Sequence, residues 1–170
     1  IQYFKSRGYD INHKIINLKD CADILSSSLT NPQEKIPDGY YEEKTMKSTV
    51  VPNRNAIFSS ILYGYALTVS KHINDNVVIS LGVHSGDHAI YPDCRKEFYD
   101  KIMQAFRIGN WDSDKIDLYL PYLTCNKSGI LKKETLCWSC ASISALVECI
   151  VFFAVILFLR LFFYFKEDVE

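Results

Sequence analysis

The sequence VVISLGV at residues 77–83 decides the fold, because it is an apolar run of strand length between two polar segments. A strand that is apolar on both faces is typical of the interior of a parallel sheet covered by helices. The run follows the helix-breaking sequence Asn74-Asp75-Asn76, and it precedes a polar, glycine-containing loop from His84 to Pro92. It therefore predicts a buried strand of an α/β domain.

The segments on either side of this strand alternate between helical and extended patterns. The predicted elements, in chain order, are a strand over 14–18, a helix over 21–29, a helix over 54–72, a helix over 93–109, a strand over 116–120 and a short helix from 126 or 127. Alternation of this kind favours an α/β fold with a mostly parallel sheet and flanking helices. The polar stretch between residues 30 and 52 is long for a connection, so we interpret it as a candidate lid.

Composition excludes several classes of protein. The chain has 170 residues, 14% aromatic and 23% charged residues and a net charge of -1. These values fit one domain with its own core, and they argue against a disordered chain and against binding of nucleic acid by bulk charge. Six cysteines without a visible secretory signal predict a reducing, cytoplasmic setting.

Both ends of the chain differ in sequence character from the residues between them. Ile1 to Gly8 reads as the end of a helix, which predicts that an earlier part is missing; the alternative is a short N-terminal turn of a complete protein. Residues 141–165 are almost wholly apolar, and only Glu148 and Arg160 are charged. That stretch is long enough to span a bilayer. We favour a tail that results from an altered reading frame over a membrane anchor, and we divide the chain into a domain at 1–140 and a tail at 141–170.

The loop after the central strand contains more ionisable and hydrogen-bonding side chains than a connecting loop needs. Residues 84–95 contain two histidines, two aspartates, a tyrosine, a cysteine and an arginine. In open α/β sheets, ligands bind beyond the carboxyl ends of the strands, which is where this loop lies. Two alternatives stay open: Asp93 serves only as a helix cap, or His84, Asp87 and His88 bind a metal ion. One loop offers poor geometry for three ligands, so metal binding ranks below recognition of a polar ligand.

Arg54 is a second candidate, at the start of the predicted helix over 54–72. Its planar guanidinium can donate two parallel hydrogen bonds to a carboxylate or a phosphate, and unpaired backbone N–H groups at a helix start also favour an anion. The alternative is an ordinary surface arginine at a helix end.

Three segments together resemble one family. STVVPNRNAIF at 48–58, GVHSGDHAIYPDCRKEF at 82–98 and CWSC at 137–140 are similar to the 7-cyano-7-deazaguanine synthases, and the similarity runs from about Gly8 to Cys140. These enzymes belong to the PP-loop ATP pyrophosphatase-like superfamily. The resemblance implies a Rossmann-like parallel sheet, as in the adenine nucleotide alpha hydrolases.

The resemblance also implies an activity, which is queuosine and 7-deazapurine biosynthesis by an ATP-dependent ligase. Such an enzyme converts 7-carboxy-7-deazaguanine and ammonia to the nitrile, first through an amide, with Mg²⁺ and ATP activating the carboxylate. Its partners are these small molecules and not nucleic acid, a homodimer is left open, and a membrane enters only if the tail is genuine.

By the same resemblance, matching positions take roles at the site. The residues implied for the deazaguanine pocket are Asp87, His88, Tyr91, Asp93 and Arg95. Those implied for the nucleotide are Arg54, Asn55 and Lys127, the last of which reads equally well as a solvated helix lysine. Either Asp87 or Asp93 suits the N–H donors of a guanine edge, and no catalytic residue is assigned.

Two family features are missing from the pattern. The nucleotide loop Ser-Gly-Gly-x-Asp-Ser is absent, and of the four cysteines that hold a structural Zn²⁺ in the family, Cys140 matches the first while Cys149 could suit the second. We therefore expect an inactive fragment with an incomplete zinc site. The alternatives are a different PP-loop enzyme and a membrane-tethered, non-catalytic binding module.

Overall fold

The fold is that of a computed structural model, which describes residues 1–37 and 44–132. Its helices are α1 Gln2–Ser6, α2 Lys19–Ile24, α3 Arg54–Ile73 and α4 Lys96–Gly109, and its strands are β1 Val77–Ser80 and β2 Ile116–Tyr119. Residues 127–132 are helical as well. Short 3-10 turns lie at Lys44–Thr49, Ser85–Asp87, Pro92–Cys94 and Ser113–Lys115.

The two strands form a parallel pair, so the α/β class predicted from the sequence is confirmed. Val77 is paired with Ile116, and Ile79 with Leu118. These residues share one face of the sheet, because paired residues of a ladder point to the same side. Helices α3 and α4 cover that face. The core residues between the layers are Tyr63, Ala66, Ile79, Met103 and Ile116.

Helix α3 is the longest element in the described ranges, and asparagines in the left-handed conformation flank it at both ends. Asn53 precedes the helix with a φ of 58°, and Asn74 follows it with a φ of 53°. Asparagine tolerates this conformation better than other residues with a side chain, which explains why the helix starts and stops where it does. The buried face is polar near the N-terminus, at Asn55 and Ser59, and changes to core residues further along.

The strongest periodic patterns gave the right elements. The helix predicted over 54–72 and the strand predicted over 116–120 are observed within one residue of those bounds. The strand predicted over 77–83 is shorter, because the ladder ends at Ser80. The helix predicted from Asp93 begins at Lys96, because Pro92–Cys94 forms a 3-10 turn and Arg95 is extended.

Two predictions near the N-terminus fared less well. The strand predicted over 14–18 is wrong: these residues have no regular structure, and Ile15 is 75% exposed. A short apolar run becomes a strand only when another strand is available to pair with it. The helix predicted over 21–29 ends at Ile24.

The start of the chain has the helix end that the sequence predicts. Gly8 has a φ of 86°. Its N–H donates to the carbonyl of Lys5, and the N–H of Tyr9 donates to the carbonyl of Phe4. This pair of hydrogen bonds is the Schellman arrangement that glycine favours after a helix.

Among the described residues, no helix combines the length and the apolar character needed to cross a membrane. The apolar tail, the boundary after residue 140 and three cysteines, Cys137, Cys140 and Cys149, lie outside the described residues. The predictions about them stay predictions.

Candidate ligand-binding site

The site is built beyond the carboxyl ends of the two strands. The loop that follows β1 packs, through Val83, Ile90 and Tyr91, into a second apolar cluster with Met46, Cys94 and Tyr99. The N–H of Ser85 donates to the carbonyl of Cys125 at 2.9 Å, which ties this loop to the segment after β2. The loop is therefore fixed both by the apolar cluster and by the segment after β2.

Asn55, at the start of α3, contacts the turn that contains Asp93 in three places. Its backbone N–H donates to Oδ2 of Asp93 at 3.3 Å, and its side-chain amide donates to the backbone carbonyl of Asp93 at 3.2 Å. The same amide lies 3.4 Å from Sγ of Cys94. Asn55 is only 2% exposed, so these hydrogen bonds are shielded from water. The start of α3 and the turn that contains Asp93 therefore lie in direct contact.

Two side chains of the segment after β1, those of Asp93 and His88, each contain a buried polar atom. Oδ1 of Asp93 and Nε2 of His88 have no hydrogen-bond partner among the described residues. A buried polar atom without a partner costs free energy, and such atoms are expected where a ligand or water completes the site. Asp93 thus has one oxygen fixed by Asn55 and one oxygen left to accept a hydrogen bond.

Arg54 lies beside these groups and over an aromatic ring. Its guanidinium carbon is 5.4 Å from the centre of the Tyr91 ring, which is a cation–π contact. The Tyr91 hydroxyl is 2.8 Å from Oγ1 of Thr49, and Thr49 in turn donates to the carbonyl of Met46 at 2.6 Å. Since the Thr49 proton is used there, the Tyr91 hydroxyl is the donor in the pair.

His84 is fixed in one tautomer by its neighbours. Its Nδ1 accepts a hydrogen bond from the N–H of Gly86 at 3.1 Å, so its proton is on Nε2, which lies 3.4 Å from Oδ2 of Asp87. Burial lowers the pKa of His84; Asp87 opposes this shift, whereas Lys127 and His88 add to it. The neutral imidazole is thus favoured, and Asp87 is already engaged with it.

The buried groups under the site are kept uncharged. The pKa of the Cys94 thiol is raised to about 12, chiefly by burial and further by Asp93 and Asp87, while Arg54 and the hydrogen bond from Asn55 act in the opposite direction. Burial also raises the pKa of Tyr99, with added contributions from Cys94 and Asp93. The charges of Arg54, Asp87 and Asp93 therefore act on one small volume.

The remaining predicted site residues lie at the edge of this volume. Arg95 is exposed, and its Nε donates to the carbonyl of His88 at 2.9 Å. Lys127 is exposed and near enough to His84 to influence its pKa. Three residues that structure places in or under the site were not singled out from the sequence: Thr49, Cys94 and Tyr99. All three lie in or next to the quoted segments 48–58 and 82–98, but no pattern in the sequence indicates the contact between Thr49 and Tyr91.

A metal site receives no support in the ranges 1–37 and 44–132. They contain no group of three or more His, Cys, Asp and Glu side chains placed to hold a metal ion. The alternative of a metal bound by His84, Asp87 and His88 is thus unsupported. Cys140, the predicted zinc ligand, is outside the described residues.

These features define an α/β protein with a polar candidate site beyond the carboxyl ends of a parallel sheet, where such folds bind their ligands. The chain belongs to the family described as queuosine biosynthesis protein QueC, whose family model matches residues 4–141.

Three relatives illustrate the similarity. The chain is 42% identical over 121 residues to 7-cyano-7-deazaguanine synthase 1 of Colwellia psychrerythraea, which covers 71% of this chain and 52% of that protein. It is 41% identical to the 7-cyano-7-deazaguanine synthase of Pseudoalteromonas translucida, over 72% of this chain and 53% of that protein. It is 42% identical to the enzyme of the same name from Methanoregula boonei, over 72% of this chain and 54% of that protein. The chain thus spans about half the length of the curated relatives it matches. No solved structure matches it.

Proposed function

We propose that this chain supplies the substrate pocket of an ATP-dependent ligase that converts 7-carboxy-7-deazaguanine and ammonia to 7-cyano-7-deazaguanine. The observation that carries the proposal is the Asp93 carboxylate. One of its oxygens accepts from the backbone N–H of Asn55, and the other is buried with no partner among the described residues. The names of the relatives support the same substrate class.

The free oxygen of Asp93 suits the edge of a guanine-like base. That edge carries adjacent ring and amino N–H donors, and a carboxylate is the natural acceptor for them. Asp87 is the weaker candidate for this role, because its carboxylate already lies 3.4 Å from Nε2 of His84. The buried Nε2 of His88 offers a second polar contact for the ligand. Tyr91 and Arg95 complete the proposed substrate pocket.

Arg54 is proposed to bind an anion, either the carboxylate of the substrate or a phosphate of ATP. A guanidinium held beside buried groups donates hydrogen bonds more effectively than one in water. Asn55 and Lys127 join it on the proposed nucleotide side. Lys127 is exposed, so its contribution would come from charge rather than from fixed geometry.

The reaction needs ATP because a carboxylate is a poor electrophile. In the first step a carboxylate oxygen bonds to a phosphorus of ATP while the bond from that phosphorus to its bridging oxygen breaks. Ammonia then attacks the carbon and loses one proton, and the C–O bond breaks so that the oxygen leaves on phosphorus and an amide remains. In the second step the amide oxygen bonds to a phosphorus of a second ATP, again with loss of the bridging oxygen from that phosphorus. The C–O bond then breaks with the oxygen leaving on phosphorus, while the nitrogen loses both protons and the nitrile forms. Arg54 is placed to stabilise negative charge during these transfers.

Mg²⁺ and Zn²⁺ belong to the proposal only as groups that the family implies. Mg²⁺ would accompany the phosphates of ATP and neutralise their charge. The described residues offer no acidic cluster for it, so none of the steps above depends on it. Zinc binding through Cys140, a homodimer and a cytoplasmic setting stay predictions.

The test is ligand binding by the full 170-residue chain and two variants of Asp93. We expect the wild-type chain to bind 7-carboxy-7-deazaguanine in isothermal titration calorimetry. We expect Asp93→Ala to weaken this binding by roughly 1–3 kcal/mol, the usual cost of one buried polar partner. Asp93→Asn should weaken it as well, because an amide replaces one acceptor by a donor. The matched control is Asp100→Asn on the exposed side of α4.

An analogue without the 2-amino group sharpens the test. The wild-type chain should prefer the guanine-type ligand over this analogue, and Asp93→Ala should lose the preference. If Asp93→Ala bound 7-carboxy-7-deazaguanine as tightly as the wild-type chain does, Asp93 would not be the residue that recognises the guanine-like edge. Absence of binding by a wild-type chain with a cooperative unfolding transition would contradict the proposed function itself.

A further inference from the structure

A series of hydrogen bonds connects the segment before α3 to Tyr91 in the candidate site. The N–H of Ser28 and the hydroxyl of Ser27 both donate to the carbonyl of Ser48, at 2.9 Å and 3.1 Å. This fixes the turn that carries Thr49, whose Oγ1 lies 2.8 Å from the Tyr91 hydroxyl. All of these side chains except that of Ser48 are less than a tenth exposed. The turn is thus fixed by hydrogen bonds from Ser27 and Ser28, and it contacts Tyr91 through Thr49.

The hydroxyl and the ring face of Tyr91 contact different residues. Its hydroxyl reaches away to Thr49, and the face of its ring lies under the guanidinium of Arg54 at 5.4 Å. A cation–π contact depends on the orientation of the ring as well as on its distance. The hydrogen bond at the far end of the ring therefore controls how the ring meets Arg54.

We propose that Thr49 and Tyr91 are positioning residues that hold the Arg54 guanidinium in the orientation for an incoming carboxylate or phosphate. The inference rests on the proposed function for the identity of that anion. It does not require Tyr91 or Thr49 to contact the ligand. It assigns the Tyr91 hydroxyl to the support of Arg54, whereas the family resemblance implied only that Tyr91 belongs to the substrate pocket.

The physical reason is the cost of ordering a long side chain. A free arginine loses considerable rotamer entropy when it binds an anion, and a preformed stack on Tyr91 removes part of that loss. Loss of the hydroxyl leaves the ring in place but lets it tilt, and Oγ1 of Thr49 then keeps only its hydrogen bond to the carbonyl of Met46. Binding of a charged ligand should weaken, whereas binding of its neutral analogue should not.

The first experiment compares charged and neutral probes. The probes are 7-carboxy-7-deazaguanine with 7-deazaguanine, and ATP with adenosine, so that the carboxylate and the phosphate are distinguished. We expect Tyr91→Phe and Thr49→Val each to reduce the charged-over-neutral preference in one pair by roughly tenfold, and the double variant to lose no more than either single one.

Matched controls remove the same groups elsewhere in the chain. Tyr119→Phe removes a hydroxyl from a partly exposed ring, and Thr68→Val removes one that only bonds within α3. Neither should change the preference. Equal weakening of charged and neutral probes in Tyr91→Phe would overturn the inference, since it would indicate a purely structural role. An unchanged preference would overturn it too.

A second experiment decides the inference without any ligand. The side-chain Nε–H resonance of Arg54 should be shifted by the ring current of Tyr91, and Arg54→Lys identifies it by its disappearance. In Tyr91→Phe and Thr49→Val the shift should fall, while the controls keep it. An unchanged shift would overturn the inference. If the wild-type chain bound none of the four probes, the proposed function would fail, and this resonance would still decide whether Tyr91 positions Arg54.

Discussion

At the scale of single residues, Cys94 has the location of a nucleophile and the chemistry of a core residue. It lies in the site loop, yet burial raises the pKa of its thiol to about 12, and Sγ lies 3.4 Å from the amide of Asn55. The thiolate, not the thiol, is the reactive form of cysteine. Cys94 is therefore a packed, neutral contact of Asn55, and thiol chemistry at this site is disfavoured.

This assignment predicts the order of cysteine alkylation. With iodoacetamide near pH 8, Cys21, which is exposed, should react quickly, whereas Cys94 should react only after unfolding in urea. Peptide mass spectrometry measures both sites in one sample, so Cys21 is an internal control. Labelling of Cys94 in the folded chain at the rate of Cys21 would contradict the assignment.

His84 predicts a pH dependence of stability. Burial lowers its pKa below the ordinary value of 6.5, so the unfolded chain binds a proton more readily than the folded chain does. The stabilisation is complete above about pH 6.5 and is lost as the pH falls toward the pKa of the folded state. Urea unfolding between about pH 7.5 and 5 should show this loss in the wild-type chain.

His84→Asn separates this effect from other titrations. The asparagine oxygen can accept from the N–H of Gly86 as Nδ1 does, and it does not titrate. Its stability should therefore fall less steeply with acid than that of the wild type. His72→Asn, at an exposed position near the end of α3, is the control and should keep the wild-type slope. Identical slopes for wild type and His84→Asn would show that another group governs the acid range.

The sequence predicted part of the site at this scale. Arg54, Asn55 and Asp93 were predictable because each lies next to an element boundary where a parallel sheet binds ligands. Thr49 was not, because its partner Tyr91 is 42 residues away and the pair exists only through packing of the intervening chain. The choice between Asp87 and Asp93 also needed the structure, since it depends on which carboxylate already has a partner.

At the scale of elements, α3 connects the site to the core. Its first residues, Arg54 and Asn55, face the site, and Tyr63 and Ala66 further along fill the core against the strands. The position of the helix is set at its end by Asn74, which has a φ of 53° and an N–H that donates to the carbonyl of Ser70. Correct termination at Asn74 thus stabilises the helix whose first residue is Arg54.

This dependence predicts opposite effects of two substitutions at Asn74. Asn74→Ala should lower the free energy of unfolding by about 1 kcal/mol, because alanine is strained at this φ. Asn74→Gly should keep it or raise it slightly, since glycine has no such strain. Both lose the contact from Nζ of Lys115, so Lys115→Ala isolates that contribution. Urea unfolding measures all three, and a glycine variant as unstable as the alanine variant would exclude backbone strain as the cause.

Whether an element could be predicted from the sequence depended on its length and on the presence of a neighbouring element to pair or pack with it. The periodic pattern of α3 repeats over many turns, so it predicted both ends within one residue. The run at 14–18 has an equally apolar composition but no strand beside it in the described ranges, and Ile15 lies in solvent. The start of α4 was missed because Pro92 nucleates a separate 3-10 turn, which a helical pattern does not reveal, whereas its end at Gly109 was predicted correctly.

At the scale of the whole molecule, two apolar clusters share one residue. The core cluster lies between the sheet and α3 and α4, and the site cluster lies under the loop after β1; Leu118 of β2 packs against both. Cooperative units in proteins are held together by such shared packing. We therefore expect the site to open only when the core opens, so that the ligand groups are presented by a rigid frame.

Ile116→Val tests whether a change in the core cluster affects the opening of the site cluster. Ile116 is completely buried in the core cluster, and removal of one methyl group there should lower the free energy of unfolding by about 1 kcal/mol. If the clusters open together, slow iodoacetamide labelling of Cys94 in the folded chain should become roughly fivefold faster, the same free energy expressed as a rate ratio. Ile108→Val, at an 81% exposed position, is the control and should change neither quantity. A lower urea midpoint with an unchanged labelling rate would mean that the site cluster opens independently of the core, and the binding groups would then be held by the loop alone.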